Sequence, residues 1–385
     1  MDLVELKSRF QSLYGQGETL TFFSPSRINI IGEHIDYNGG KVLPGAIEIG
    51  TYGIARKRND DRVLLTSENI DLKVEVDLSN LQYDSKHGWG NYPKGVLYFM
   101  KEIGYNVGGV EVLIHGNIPN GAGLSSSASL ELLIAQIINV LYNKGQIPMI
   151  DLVKVGQKAE NDFVGVKCGI MDQFAIGMGK QNKASLLDTN SLDYEYIDME
   201  LKDNIIVIMN TNKRRELSDS KYNERRSECE TALEIIREYI DIKNLCDLSV
   251  SDFKKFKDKI KQDNIRNRAE HVVFENHRVN LASKALIEGD IDKLGTLLID
   301  SHNSLRDLYD VTGVELDTIV DAANSFGYCI GARMTGAGFG GCAIAIVKSD
   351  KVDEFIEYVG NVYKDKIGYE AEFYITGIGD GTREL

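Results

Sequence analysis

The sequence predicts a two-domain α+β protein, and three observations carry that expectation. The chain has 385 residues, long enough for two domains of ordinary size, each with its own core. Residues 1–115 read mostly as short strands with one or two helices, whereas residues 220–261 form a long charged helical region. Strands gathered in one part of a chain and helices in another mark the α+β class. A composition shift near residues 195–205 sets the expected boundary between an N-terminal domain, 1–200, and a C-terminal domain, 201–385. With 43% hydrophobic and 26% charged residues, the chain is globular in composition and not disordered.

Taken in order, residues 1–14 are expected to open the chain as a helix. The run Arg27-Ile28-Asn29-Ile30-Ile31 alternates polar with apolar and ends at Gly32, as a strand entering a turn does. Residues 49–57, 62–67, 72–76 and 110–115 alternate likewise and are rich in β-branched side chains. A helix is expected over residues 93–103, just after the single tryptophan, Trp89. The strongest helical pattern spans residues 130–143 and is stopped by Gly145 and Pro148. Glu131, Gln136 and Asn139 interrupt it, so it reads as a core helix and not a membrane span. A second helix is expected over 149–165, a turn-rich stretch over 165–179 and a strand over 205–210. There is no internal repeat and no low-complexity linker.

Charge and cysteine usage exclude several classes. A net charge of −14 argues against a nucleic-acid binder, which normally presents a basic face. The first ten residues lack both the basic and the apolar regions of an export signal. Five cysteines, Cys168, Cys229, Cys246, Cys329 and Cys342, are scattered without a CxxC pair, which points to reduced thiols in a cytoplasm and away from structural zinc. The expectation is a cytoplasmic monomer whose partners are small molecules, with neither nucleic acid nor membrane among them.

Three constellations concentrate polar chemistry. The first is the turn after residue 32, where Glu33, His34, Asp36 and Asn38 crowd beside glycines. Such a turn suits a ligand rich in hydroxyls, each needing a donor or an acceptor, although solvated loops collect the same residues for turn geometry alone. The second is Gly121-Ala122-Gly123-Leu124-Ser125-Ser126-Ser127 running into the strongest helix. A helix N-terminus presents unpartnered N–H groups and partial positive charge, so it is an anion site that glycines let phosphate approach closely. No GK[ST] ends it, so it is not a common P-loop; an ordinary serine-capped helix is the plain alternative. The third, Met334 to Gly341, meets a GxGxxG count, but a strand follows instead of a helix, so a dinucleotide's pyrophosphate would find no helix N-terminus. That glycine loop is expected to support another loop by close backbone approach or to be a tight turn.

Together RINIIGEHIDYNGG (27–40), GAGLSSSAS (121–129) and MTGAGFGGCAI (334–344) resemble, in this order and spacing, the signature motifs of the galactokinase branch of the GHMP kinase family. The likeness spans nearly the whole chain, and the first motif is the one specific to the galactokinase branch. The resemblance implies a two-domain fold, a ribosomal protein S5 domain 2-like N-terminal domain and a ferredoxin-like C-terminal domain, with the site in the cleft between them. It implies ATP- and Mg²⁺-dependent phosphorylation of the C1 hydroxyl of α-D-galactose. By the same resemblance Glu33, His34 and Asp36 bind sugar hydroxyls. The stretch CGIMDQ (168–173) matches the family's segment in which an aspartate is the catalytic base and a glycine touches sugar, here Asp172 and Gly169. Such a carboxylate is what transfer to a hydroxyl requires, and a cation beside the moving phosphoryl, here Arg27, stabilises its charge. The residues Gly121 to Ser127 would cradle phosphate, with Ser127 and Glu160 on the magnesium side. Trp89 and Tyr92 match residues around the adenine, Ser67 is a further nucleotide contact, and Tyr222 matches a sugar-contacting tyrosine.

Two departures stand out. Ser26 occupies a position where the family usually has glycine, and Ile35 one where it usually has threonine. The serine is harmless unless its backbone needs a positive φ. The isoleucine removes a hydroxyl, and with Glu33, His34 and Asp36 intact the expectation is an active enzyme with a locally repacked turn. Two rivals stay open: a kinase of this family for another sugar, such as N-acetylgalactosamine or arabinose, and a non-catalytic sensor of galactose and ATP. The presence of Arg27, Ser127 and Asp172 argues against the sensor. His271 and His277, six apart in a charged helical segment, fall on different helix faces and do not make a metal pair.

Overall fold

A computed structural model describes residues 2–119, 122–213 and 218–385. The first half runs α1 (Leu3–Tyr14), β1 (Leu20–Asn29), β2 (Lys41–Val42), β3 (Pro44–Lys57), β4 (Arg62–Ser67), β5 (Val74–Asp77), α2 (Asn91–Ile103), β6 (Val110–Gly116), α3 (Ser126–Asn143), α4 (Met149–Lys158), α5 (Met171–Met178), β7 (Lys183–Asp188) and β8 (Tyr194–Asp198). The second half runs β9 (Asn204–Asn210), α6 (Ser218–Arg237), α7 (Val250–Phe256), α8 (Asp263–Glu288), α9 (Ile291–Ser304), α10 (Val314–Ser325), β10 (Cys329–Thr335), β11 (Cys342–Lys348), α11 (Val352–Ile367), β12 (Glu372–Thr376) and β13 (Arg383–Glu384). Mixed helix and strand in segregated layers is the α+β class.

Alternating side chains make the first layer. The sheet β13-β1-β3-β6-β4-β5 is antiparallel except for its parallel β4–β6 pair. Along β3, Ile54 turns to Leu6 and Phe10 of α1, while its neighbour Ala55 joins the main core on the opposite face. The helix α3 covers that second face so closely that a Cβ on Gly53 would stand 3.2 Å from Leu133. A small sheet, β2-β7-β8, lies beside it. The second layer is the antiparallel sheet β10-β11-β9-β12, whose β11 is buried along almost its whole length. Helices α9, α10 and α11 pack against it, and α6 and α8 lie alongside. Among the described residues, no helix is long and apolar enough to cross a membrane.

Several boundaries differ from the sequence expectations for identifiable reasons. The turn-rich stretch 165–179 holds α5, which is too short to announce itself by periodicity and is held by the buried Phe174 and Ile176. The helix expected over 149–165 is α-helical only to Lys158, and a π-turn, Ala159–Val164, takes over. The charged region 220–261 is three pieces, because an Asn244–Asp247 capping box and a Ser249 cap restart the chain after α6. The last strand, β13, leaves the second half and pairs with β1, Phe22 opposite Glu384 and Phe23 opposite Arg383.

Candidate active site

One cleft of about 410 Å³ draws on β1, the turns after it, the serine-rich loop, the segment before α5, the start of α6 and the third glycine loop. Its floor is set by a register shift between β1 and β3 that falls between Pro25 and Arg27. Irregular pairing of this kind re-aims a side chain at the end of a strand. The Ser26 hydroxyl donates to the Leu124 carbonyl, tying β1 to the serine-rich loop. Ser26 is not in a left-handed conformation, so serine in place of glycine brings no backbone strain there.

Arg27 and Asp172 meet fork to fork. The guanidinium donates from Nε to Oδ1 and from Nη2 to Oδ2, both at 2.8 Å, and from Nη1 to the Gly123 carbonyl at 3.2 Å. Arg27 is 4% exposed and Asp172 27%, so the pair has a dry side and a side open to the cleft. The Ser125 hydroxyl also donates to Oδ2. Oδ2 therefore holds two donors and Oδ1 one, which leaves lone-pair capacity on Oδ1 for an incoming hydroxyl. Asp172 lies in the first turn of α5, so it is not the helix cap.

The turn after β1 is built from inside. Glu33 is buried and accepts at Oε1 from Thr335 Oγ1 (3.1 Å) and the Gly336 N–H (2.7 Å), and at Oε2 from Asn29 Nδ2 (3.0 Å). Arg333 in β10, fully buried, stands 3.5 Å from Glu33 Oε1 and bonds the carbonyls of Asn29 and Ile30. His34 takes a left-handed backbone, φ +63°. Its Nδ1 faces the Tyr37 hydroxyl at 2.8 Å and its Nε2 the Ala337 carbonyl at 3.1 Å. Both ring nitrogens thus have protein partners, and His34 lines the cleft beside Glu33 and Asp36. Asp36 presses on Gly169, where a Cβ would come 1.8 Å from Asp36 Oδ2. The Tyr222 ring lies beside His34 and Tyr37, centroids 5.6 and 5.4 Å away. Ile35 is fully buried in the core and not in the cleft lining, so the hydroxyl absent at that position is absent from core packing.

Opposite lies the serine-rich loop. Gly123 (φ +71°) and Ser125 (φ +60°) take left-handed conformations just before α3, a geometry that gathers backbone N–H groups into a concave nest. Ala122, Leu124, Ser126 and Ser127 line the cleft with them, and Gly121 lies outside the described residues. The third glycine loop supports this one: a Cβ on Gly336 (φ +84°) would stand 3.0 Å from the Gly123 carbonyl oxygen. The Ser127 hydroxyl donates to Glu160 Oε1 at 3.0 Å. Gln173 Nε2 donates to Glu160 Oε2 (2.6 Å) and to Glu131 Oε2 (3.0 Å) beneath. Tyr92 lines the cleft. Trp89 and Ser67 do not: the Trp89 indole N–H donates to the Leu72 carbonyl at 3.0 Å while its ring packs on the core, and Ser67 Oγ accepts from the Asn69 N–H at 3.1 Å.

The cleft is crowded with acid. Burial first, then the neighbouring Asp172 and Glu33 carboxylates, push the Asp36 pKa up to about 7. Burial and Asp172 push Glu160 upward too. A carboxyl whose folded pKa exceeds its unfolded value binds more protons folded than unfolded between the two values. Asp36 therefore costs stability as pH rises from about 4 through about 7, by up to about 4 kcal/mol. Two histidines, His34 and His271, run the other way, since burial lowers their pKa values to about 3 and about 4. The difference between proteins isolates the carboxyl: Asp36→Asn is expected to gain on the parent in melting temperature as pH rises from 5 to 8, and a constant offset across that range would refute the shift.

Sequence reasoning passed over Tyr37, Tyr309, Thr335 and Arg333. Thr335 lies inside the third motif, whose place beside the first was the available signal; Tyr309 and Arg333 gave none, because their partners come from distant segments. Among the described residues no group of three or more His, Cys, Asp or Glu side chains is arranged to hold a metal ion.

Comparison with known proteins adds independent findings. The family model described as the galactokinase galactose-binding signature matches residues 8–57, the GHMP kinases N terminal domain matches 91–180, and the GHMP kinases C terminal model matches 282–365. The chain is 56% identical to a galactokinase of Clostridium tetani over 385 residues, covering 100% of this chain and 98% of that one. It is 54% identical to a galactokinase of Ligilactobacillus salivarius, with 100% of each chain covered. A crystal structure of Lactococcus lactis galactokinase complexed with galactose superposes with a TM-score of 0.97 at 48% identity, covering 100% of both chains. The mevalonate kinase of Methanococcus jannaschii, 21% identical over 95% of this chain and 100% of its own, shares the fold at a TM-score of 0.69.

Proposed function

The chain belongs to the galactokinase branch of the GHMP kinase family, and from that premise we propose how its own residues divide the phosphorylation of galactose by ATP. The acceptor is the C1 hydroxyl of α-D-galactose and the products are galactose 1-phosphate and ADP. The observation that carries the assignment is the Arg27–Asp172 fork, at the meeting of the sugar-side turn and the serine-rich loop.

Asp172 orients the C1 hydroxyl through Oδ1 and receives its proton as the phosphoryl group arrives. Arg27 fixes that carboxylate in one plane and holds positive charge beside the Gly123 segment, where the transferring group comes to lie. Glu33 and Asp36, with Gly169 and Tyr222, form the wall that chooses the sugar. His34 lines the same wall and, with both ring nitrogens held by protein partners, keeps its shape. The nest of Ala122 to Ser127 at the N-terminus of α3 receives the phosphates, and Tyr92 lies on the side assigned to the nucleoside. Among the described residues the sugar and phosphate segments share this single opening, which suits a reaction between two bound substrates.

The donor set fits Mg²⁺. Ser127 and Glu160 present hard oxygens side by side, burial and the Asp172 carboxylate disfavour the charged form of Glu160 as a cation there would not, and Mg²⁺ needs few protein ligands when nucleotide phosphates supply the others. Bound with ATP, the ion would offset negative charge on the phosphates during transfer.

We further assign residues 1–200 and 201–385 to the two halves flanking the cleft, and the protein to the cytoplasm as a monomer; five scattered cysteines without a CxxC pair support a reducing compartment. The deciding experiment follows ³¹P signals with ATP, Mg²⁺ and a panel of galactose, N-acetylgalactosamine and arabinose. Galactose 1-phosphate is expected as the dominant product. Equal or better turnover of another sugar would overturn the galactose assignment, and no turnover of any sugar would favour a sensor.

A further inference from the structure

A file of hydrogen bonds crosses from the second half of the molecule into the sugar-side turn. The Cys229 thiol on α6 lies 3.1 Å from the Tyr309 hydroxyl, which lies 2.9 Å from the Tyr37 hydroxyl, which lies 2.8 Å from His34 Nδ1. At the far end His34 Nε2 is 3.1 Å from the Ala337 carbonyl oxygen in the third glycine loop. Only one order of protons fits. A carbonyl oxygen can only accept, so Nε2 carries a hydrogen. His34 is 4% exposed, and burial lowers its pKa to about 3, so the ring is neutral and Nδ1 accepts. Tyr37 must then donate to Nδ1 and accept from Tyr309, and Tyr309 must accept from the Cys229 thiol.

We propose that Tyr309 is a positioning residue for the sugar site: by donating to Tyr37 it keeps the Tyr37 hydroxyl on His34 Nδ1, reinforcing the Nε2–H tautomer that the Ala337 carbonyl selects, and so holds the turn that carries Glu33 and Asp36 into the cleft. Tyr309 is fully buried and does not line the cleft, so it acts through others. Its ring also packs on His34 and on His271, centroids 4.9 and 4.5 Å away. His271 Nε2 bonds the Glu33 carbonyl at 3.1 Å, and Asn38 Nδ2 donates to the His34 carbonyl at 2.9 Å. The left-handed His34 is thus held on both peptide sides and at both ring nitrogens, as a non-glycine residue at positive φ requires. Tyr309 itself closes the π-turn Leu305–Tyr309, where the Arg225 guanidinium bonds its carbonyl at 2.8 Å. A rigid mount is what a distant positioning group needs.

The direction of the file separates its members. Cys229 only donates into it, so Cys229→Ala leaves the Tyr309 donation intact, whereas Tyr309→Phe removes it and leaves Tyr37 free to turn from His34. In ligand-free protein labelled with ¹⁵N-histidine, His34, identified by the signal lost in His34→Gln, is expected to show a protonated Nε2 and a bare Nδ1. Tyr309→Phe is expected to disturb that pattern and to raise KM for galactose about tenfold, the size of one lost buried hydrogen bond, with kcat changed less than about threefold. Cys229→Ala should match the parent in both. Parent protein with the proton on Nδ1 overturns the inference, as does Tyr309→Phe with an unchanged KM or with the loss confined to kcat. Should Tyr309→Phe not fold, the parent spectrum and Tyr37→Phe, expected to raise KM likewise, decide it. The KM arm rests on the galactose reading, whereas the tautomer is measured without sugar, so failure of that reading is told apart from failure of the inference.

Discussion

Asp172→Asn is expected to bind galactose almost as the parent does and to turn it over about 10² to 10⁴ times more slowly, the range for loss of a positioned acid–base group. The amide keeps the size of the carboxylate but cannot take the proton from the C1 hydroxyl. It also turns an N–H₂ toward Arg27, which then has one acceptor where it had two. A nearly buried guanidinium that loses its counter-charge destabilises the fold, and breaking a wholly buried pair costs about 3 to 5 kcal/mol. With Asp172 a quarter open to the cleft, the cost here should fall below that range. Calorimetric galactose binding, a melting curve and kcat on the same preparation separate the two effects. Parent-like kcat would remove Asp172 from the chemistry, while lost binding with an intact fold would make it chiefly a sugar ligand.

Gly169→Ala is the second large effect, and it arises from space. The added methyl would fall 1.8 Å from Asp36 Oδ2 and 2.5 Å from its Cγ, distances at which something must move. Asp36 has little room to yield, because the Ile35 beside it is locked in the core and the Thr189 hydroxyl holds the Asp36 carbonyl at 2.8 Å. Either the Asp36 carboxyl leaves the sugar wall or the segment ahead of α5 shifts and takes Asp172 with it. Overpacking of this kind costs about 1 to 3 kcal/mol, so KM for galactose is expected to rise about tenfold or more. If the carboxyl moves, KM alone changes; if the segment moves, kcat falls as well. Kinetics within twofold of the parent would show that the close approach is not needed.

Much of the site was legible because its chemistry lies in short contiguous motifs. Glu33, His34, Asp36, Gly169, Asp172 and Ser127, drawn from three separate stretches, line the same cleft, and Arg27 pairs with Asp172 there. Fold class was legible for a similar reason, since alternation along β3 and the apolar run of α3 are local signals. What stayed hidden depends on pairing between distant residues. Tyr309 is one tyrosine among eighteen until folding places it on His34 and Tyr37. Of the two aromatics matched to the adenine side, Tyr92 lines the cleft, while the Trp89 indole N–H donates to the Leu72 carbonyl. The π-turn that carries Glu160 continues α4 without a break in composition, so no residue in the sequence marks where one hydrogen-bond pattern gives way to the other.

The pairing of β13 with β1 sets an order on how this protein can be made. Until Arg383 and Glu384 have emerged from the ribosome, β1, the strand that carries Arg27, lacks its outer neighbour at Phe22 and Phe23 and leaves N–H and C=O groups there unpaired. Synthesis proceeds at about 5 to 20 residues per second, so the first sheet waits tens of seconds for its final strand. During that interval the nascent first half exposes a template for pairing with other chains. Phe22 and Phe23 face that late arrival, and the Ser24 hydroxyl meets that of Thr382 at 2.8 Å.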